Sequence, residues 1–404
     1  MITFEGVTKR YPGGTLALDD VSLDCPTGRT TVFVGTSGGG KTTALRTINR
    51  MVEPTSGRVL IDGQDVREHK PAELRRGIGY VIQHAGLFPH RTIEDNIATV
   101  PHLLRWNKKK ARDRAHELME RVGLERSMAR RYPFQLSGGQ QQRVGVARAL
   151  AADPPIMLMD EPFSAVDPVV RAELQDEFLR LQDELHKTIV FVTHDIDEAI
   201  KLGDRIAVFQ TGGRLVQVDS PETLLARPAD DFVAGFIGHD RGIRRLSFVP
   251  AASAPLSERD VLPASSPVDR ARGAAGGWTL VVDDGRRPLG WAAAESLPES
   301  GVLGDVPLAP IGHTFAVEGD SMRAALDAAI LSPSGRAVGV DGQGRLVGVA
   351  DQHDLSTAIA RSGTGAAPEP APQPAPEPAE APAEEPAPGR AGDPAGAPAA
   401  EDGG

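Results

Sequence analysis

One stretch constrains the fold of this chain more than any other. Gly35-Thr36-Ser37-Gly38-Gly39-Gly40-Lys41-Thr42 fits the P-loop pattern G-x-x-x-x-G-K-[ST]. The apolar run Thr31-Val32-Phe33-Val34 precedes it and reads as a strand, and Leu45 and Ile48 mark the helix that it opens. Strand, glycine loop and helix in that order form a phosphate cradle. The glycines let backbone N–H groups converge on β- and γ-phosphates, and the new helix points its positive end at them. Lys41 is placed to neutralise the β/γ oxygens, and the Thr42 hydroxyl to ligate Mg²⁺. Thr43, in the same turn, completes the candidate ATP-binding set from Gly35.

The surrounding pattern is α/β. Up to about residue 240, short apolar runs alternate with helical segments, which predicts a mainly parallel sheet. Such runs are Ile78-Gly79-Tyr80-Val81-Ile82, Ile156-Met157-Leu158-Met159 and Ile189-Val190-Phe191-Val192, and Lys108 to Val122 has helical periodicity. The net charge of −11 argues against nucleic acid as the main partner, because a phosphate-backbone binder needs a basic surface. Cys25 is the only cysteine, which rules out an intramolecular disulfide and fits a reducing compartment. It is expected to be a half-buried small residue. No stretch approaches the roughly 18–20 apolar residues that span a bilayer. The start, Met1-Ile2-Thr3-Phe4-Glu5, has no apolar signal-peptide core, so a cytoplasmic protein is expected.

Two further zones follow. From about 246 to 360 the chain contains a weak internal repeat. Val282-Asp283 recurs as Val340-Asp341, Arg287 as Arg345, Leu289-Gly290 as Val347-Gly348, and Leu297 as Leu355, all at an offset of about 58 residues. From 364 to 404 lies Ala-Pro-Glu low complexity, which predicts a disordered acidic tail.

Two more elements carry chemistry. An apolar strand ends in Asp160-Glu161. Asp160 sits where a carboxylate can hold Mg²⁺ through water, and Glu161 can reach past the metal to an attacking water as general base. On their own the two are acids at a strand end; beside a P-loop they form a site. Leu136-Ser137-Gly138-Gly139-Gln140 precedes a long helical pattern, with Ser137 as N-cap and Gln140 completing a capping box. This helix start is a second candidate anion site in a chain with one P-loop. Two chains meeting head to tail would let each close the other's nucleotide.

Five elements in order (the P-loop, Gln83 after a strand, Leu-Ser-Gly-Gly-Gln, Asp160-Glu161, and His194 after the strand 189–192) resemble the ATP-binding cassette ATPases over residues 1 to about 240. The resemblance implies a P-loop NTPase core with an antiparallel β subdomain and a helical subdomain. It implies that Tyr11 stacks on adenine and that Gln83 contacts Mg²⁺ and water. It further implies that Ser137, Gly138, Gly139 and Gln140 serve the other protomer's nucleotide, that Asp167 works across a homodimer, and that His194 contacts the γ-phosphate and helps fix Glu161. No catalytic element is missing, so an active ATPase is expected.

A finer resemblance rests on Ile82-Gln83-His84-Ala85-Gly86-Leu87-Phe88-Pro89-His90, on Val100-Pro101-His102-Leu103-Leu104-Arg105-Trp106, and on His194 to Asp204. These are similar to the glycine betaine, carnitine, choline and proline uptake ATPases. That implies integral-membrane permease subunits, docking by the stretch after Gln83, an extracytoplasmic solute-binding protein, and a place at the cytoplasmic face of the membrane. The repeat at 246–360 resembles a tandem CBS pair, with Ser321 to Leu326 opening a helix and 337–341 and 345–349 forming a hairpin. Asp351 stands where nucleotide-binding CBS units place a hydroxyl, Asp354 is retained, and Ala293 and Ser296 fill the same positions of the first copy. Ionic-strength sensing or a structural role is therefore weighed against nucleotide binding. An importer of another amino acid or small solute, and a soluble ABC regulator, remain the alternatives.

Overall fold

Strict alternation along the buried strands sorts the first 240 or so residues into two cores. The computed structural model describes residues 1–363 except His84, Ala85, Ala165 and His239; the tail expected from 364 onward lies outside the described residues. Strands β1 (Ile2–Arg10), β2 (Leu16–Cys25), β3 (Thr30–Gly35), β4 (Ser56–Ile61) and β5 (Gln64–Asp65) come first. Then follow β6 (Ile78–Val81), β7 (Ile156–Asp160), β8 (Thr188–Val192), β9 (Arg205–Gln210) and β10 (Arg214–Asp219). One sheet has the order β2-β1-β4-β5 and is antiparallel. The other has the order β10-β9-β3-β8-β7-β6, parallel except for the edge strand β10.

Both faces of the six-stranded sheet are covered, which is why β3, β7 and β8 read as continuous apolar runs. Successive side chains still point to opposite faces. Val32, Val34, Met157, Met159, Ile189, Phe191, Ile206 and Val208 enter the core shared with the helices. Phe33, Ile156, Leu158, Val190, Val192, Ala207 and Phe209 enter the core shared with the antiparallel sheet and the helix Lys41–Ile48. Phe33 packs edge-on to Phe4 at 6.1 Å between centroids, and 5.3 Å from Phe209. Cys25 is fully buried in this second core rather than half-buried. It ends β2 opposite the buried Ile2, with its side chain in the same cluster.

The helices Lys108–Arg121 and Gly138–Leu150 pack on the first core through Ala115, Leu118, Met119, Val144 and Ala147. Pro168–Leu185 follows β7, and Ile196–Leu202 follows β8. No described helix is long and apolar enough to cross a membrane.

The repeat read from the sequence has a matching geometry. Its strands are β11 (Val261–Pro263), β12 (Trp278–Val282), β13 (Pro288–Ala293), β14 (Thr314–Ala316), β15 (Arg336–Val340) and β16 (Leu346–Asp351). β11 runs parallel to β12 and β12 antiparallel to β13; β14, β15 and β16 repeat that arrangement. The pair Val281↔Gly290 corresponds to Gly339↔Gly348, and the register shifts immediately after each. The second copy carries the helix Met322–Leu331, whereas the corresponding place in the first holds a short 3₁₀ turn, Val268–Ala271. Leu280, Val282 and Trp291 share one core with Val338, Leu346 and Val349, so each copy buries the other's strands. Met1–Ala358 forms one compact unit.

Candidate functional site

Strands β3, β8, β7 and β6 are consecutive and parallel, so their C-terminal ends lie in a row along one edge. Open α/β sheets bind ligands outside that edge. Here β3 ends at Gly35, β8 leads through Thr193 to His194, β7 ends in Asp160 and passes to Glu161, and β6 leads through Ile82 to Gln83. Residues separated by more than 150 positions in sequence thus meet along about 15 Å, four strands at about 4.8 Å spacing.

The P-loop packs too closely for side chains at two of its glycines. Gly35 has φ 142°, and a Cβ there would lie 1.9 Å from the Phe209 carbonyl oxygen. Gly40 has φ 82°, and its Cβ would lie 1.9 Å from the Ala17 carbonyl oxygen. Gly40 is also the N-cap of the helix Lys41–Ile48, and no side chain caps that helix. The helices 138–150, 168–185 and 196–202, by contrast, are capped by Ser137, Asp167 and Asp195. The first amides of the P-loop helix therefore remain available to an anion, which suits a nucleotide's phosphates. Lys41 is mostly buried, and its Nζ donates to the carbonyls of Gly35 (2.8 Å) and Thr36 (2.9 Å). Burial pushes the Lys41 pKa down, while the carboxylates of Glu161 and Asp160 act against that shift.

Thr42 Oγ1 donates to Asp160 Oδ1 at 2.8 Å, so the two oxygens that would face a hard cation are already adjacent. The second oxygen of Asp160 meets Arg46 Nη2 at 3.4 Å and the Tyr80 hydroxyl at 3.5 Å. Sequence reasoning missed both residues. Arg46 had a signal, since it follows Thr42 by one helical turn. Tyr80 is the polar-tipped member of an apolar strand, which alone points nowhere.

Glu161 adopts φ 47°, the left-handed region, and its N–H donates to the Val192 carbonyl at 2.9 Å, tying β7's end to β8. Its Oε2 receives Gln83 Nε2 at 3.2 Å and stands 3.3 Å from His194 Nδ1. The sequence-predicted residues Gln83, Glu161 and His194 are thus brought together. Among the described residues Gln83 bonds to Glu161 and not to Thr42 or Asp160.

The other candidates stand apart from this cluster. Ser137 and Gln140 form the expected capping box, with Gln140 N–H donating to Ser137 Oγ (3.3 Å) and Ser137 N–H to Gln140 Oε1 (3.0 Å). No hydrogen bond among the described residues joins Ser137 to Gln140 with the P-loop of the same chain. Asp167 caps its helix through Val169 N–H at 3.0 Å. Tyr11 is exposed in a turn, with Lys9 Nζ 5.2 Å from its ring centre. After Gln83, Leu87 packs on the core while Phe88 is exposed. A cavity of about 290 Å³ opens there, lined by Arg75, Tyr80, Ile82, Phe88, Val100 and Arg148.

Comparison with known proteins agrees with this geometry. The family "ABC transporter" matches residues 18–164. The chain is 43% identical over 378 residues to the osmoprotectant import ATP-binding protein OsmV of Salmonella typhimurium, covering 90% of this chain and 97% of that one. It is 53% identical over 247 residues to the choline transport ATP-binding protein OpuBA of Bacillus subtilis, covering 61% and 65%. It is 54% identical over 244 residues to the glycine betaine/carnitine/choline transport ATP-binding protein OpuCA of the same organism, covering 60% and 64%. Among solved structures, the dimeric ATP-binding cassette MJ0796 bound to ADP and Pi is 35% identical with a TM-score of 0.50, covering 55% of this chain and 99% of that one. The chain belongs to the ATP-binding subunits of ABC transporters, in the group of osmoprotectant-import ATP-binding proteins.

Proposed function

We propose that this chain hydrolyses ATP to drive import of quaternary-amine osmoprotectants, as a homodimer docked beneath permease subunits on the cytoplasmic face of the cell membrane. One observation carries the reading: Glu161, held between Gln83 and His194, stands one residue beyond the Asp160 that Thr42 bonds. The amides of residues 38–43 and Lys41 bind the phosphates, and Tyr11 stacks on adenine. Thr42 and Gln83, with Asp160 through water, would hold Mg²⁺, which would supply positive charge to offset that of the β/γ oxygens. Glu161 takes a proton from the water that attacks the γ-phosphorus; the bond to the β–γ bridging oxygen breaks, leaving ADP and phosphate. His194 orients Glu161 and contacts the γ-phosphate. Ser137, Gly138, Gly139 and Gln140 of one protomer, with Asp167, complete the nucleotide site of the other.

The cargo assignment is supported by the names of the relatives, which are osmoprotectant, choline and glycine betaine/carnitine/choline transport proteins. Cargo would be captured outside the cell by a solute-binding protein and pass through the permease without touching this chain. The apolar cavity beside Phe88 fits the permease segment that couples to Gln83. We read the β11–β16 repeat as a degenerate CBS pair. Its cleft of about 440 Å³ is lined by Arg259, Arg336, Asp351, His353 and Asp354. That charged lining supports sensing of ionic strength, because exposed charge pairs weaken as the Debye length falls from about 10 Å at 0.1 M to about 3 Å at 1 M salt.

The test is uptake of labelled glycine betaine, carnitine, choline and proline by vesicles carrying this chain with its permease and binding protein. ATP-dependent uptake of at least one is expected. Uptake of none, with ATPase activity intact, overturns the cargo and leaves another small solute. Failure to co-purify with any permease would instead favour a soluble regulator.

A further inference from the structure

Behind the site lies a buried carboxylate that the chemistry above does not use. Glu198, on the helix Ile196–Leu202, is 5% exposed, and burial pushes its pKa up. It does not cap its own helix, because Asp195 Oδ1 already accepts the N–H groups of Asp197 (2.8 Å) and Glu198 (3.4 Å). Instead the side chain turns inward. Oε2 accepts from Thr193 Oγ1 at 2.7 Å, and Oε1 accepts from Gln175 Nε2 at 3.3 Å. Thr193 and Gln175 are themselves buried, at 2% and 7% exposure.

The two donors belong to different elements of the site, one a loop and one a helix. Thr193 immediately precedes His194, and its backbone N–H is fixed to the Phe33 carbonyl at 3.1 Å. Gln175 sits about two turns into the helix Pro168–Leu185, which Asp167 caps. Arg171, between them on that helix, makes a second connection. Its Nη2 donates to the Val166 carbonyl at 3.2 Å, and its Nη1 lies 3.9 Å from Asp195 Oδ2. A buried charge costs stability unless it is paired or well hydrogen-bonded. Two neutral donors and one distant guanidinium are modest compensation, so Glu198 is an expensive way to hold a helix in place. An apolar residue would do that at lower cost.

We propose that Glu198 is a positioning residue that locks the His194 loop to the helix following Asp167, so that His194 and Asp167 are held in one arrangement for hydrolysis. The proposal rests on the roles of His194 and Asp167 given above. Glu198 acts through Thr193 on His194 and so on Oε2 of Glu161. Nucleotide affinity, set by the P-loop, does not depend on it.

The test uses the full chain with Mg²⁺ and ATP. Glu198→Ala removes the bridge; Thr193→Val keeps the size and removes the hydroxyl. Each should lower kcat about tenfold, leave KM for ATP within about twofold, and leave binding of a fluorescent ATP analogue unchanged. Glu198→Gln can keep both contacts if the Gln175 amide turns over, and should remain within about threefold of wild type. Thr193→Val added to Glu198→Ala should cost less than a further twofold or so, because both break one connection. If Glu198→Ala fails to fold by thermal denaturation, Thr193→Val and Glu198→Gln still decide. The proposal is overturned if Thr193→Val hydrolyses like wild type, if the loss lies in KM, or if Glu198→Gln is as impaired as Thr193→Val. A wild type without ATPase activity would overturn the parent reading instead.

Discussion

Replacing Glu161 by Gln should stop turnover while leaving the site assembled. Two nitrogens converge on one carboxylate oxygen, Gln83 Nε2 donating at 3.2 Å and His194 Nδ1 standing at 3.3 Å. A glutamine keeps an oxygen at that point and turns its amide nitrogen away from both. The backbone at φ 47° is no worse for Gln than for Glu, since neither is β-branched. The lost property is basicity, because an amide cannot take a proton from water. A positioned general base is worth about 10²–10⁴ in rate, or about 3–5 kcal/mol at the barrier. Phosphate release at saturating ATP should therefore fall by that factor, with KM little changed. Blocked hydrolysis should also trap the closed pair. Light scattering after size exclusion should find a dimer with Mg²⁺ and ATP in the variant, and a return to the smaller species in wild type as ATP is spent. Hydrolysis by the variant within about threefold of wild type would refute the assignment of Glu161 as base.

Other predictions test the frame around the site. Phe33→Ala, in the ring cluster with Phe4 and Phe209, should lower stability by about 3–5 kcal/mol in urea denaturation. Cys25, whose thiol pKa burial pushes up to about 12, should resist alkylation in the folded chain and react on unfolding. Glu198 binds its proton more tightly folded than unfolded, so its contribution to stability is greatest in acid and is lost as pH rises through its folded pKa. The stability of Glu198→Gln relative to wild type should accordingly improve between about pH 4 and pH 7. A pH-independent difference in denaturation midpoints would contradict it.

The parts of the site that were legible in the sequence are those whose local physics repeats the global arrangement. The P-loop announces its strand, loop and helix in one window. Ser137 and Gln140 predict a helix start because capping is a contact over three residues. The repeat shows because its two copies keep the same bulge and hairpin, and so the same glycines at 290 and 348. The illegible parts depend on contacts between distant segments. Nothing near Tyr80 or Arg46 says that both will meet the second oxygen of Asp160. The inward turn of Glu198 was hidden for a related reason: at a helix start an acid is expected to serve the helix, and Asp195 had already done so. The absence of a full helix in the first repeat copy was hidden too: Val268 and Ala271 of its 3₁₀ turn are buried against Val281, Ala292 and Leu303, distant in sequence.

The row of strand ends has a mechanical consequence. Glu161 and His194 follow interior strands, each laddered on both sides, and displacing either must disturb two neighbours. Gln83 follows β6, the border of the sheet, which is laddered only to β7. The same displacement there disturbs one. Along this edge the number of laddered neighbours falls outward, from the strands behind the groups proposed to act on the bond to the strand behind the group proposed to pass the event on. A stiff anvil with a yielding rim lets the chain be precise about chemistry and still responsive to whatever presses on its border.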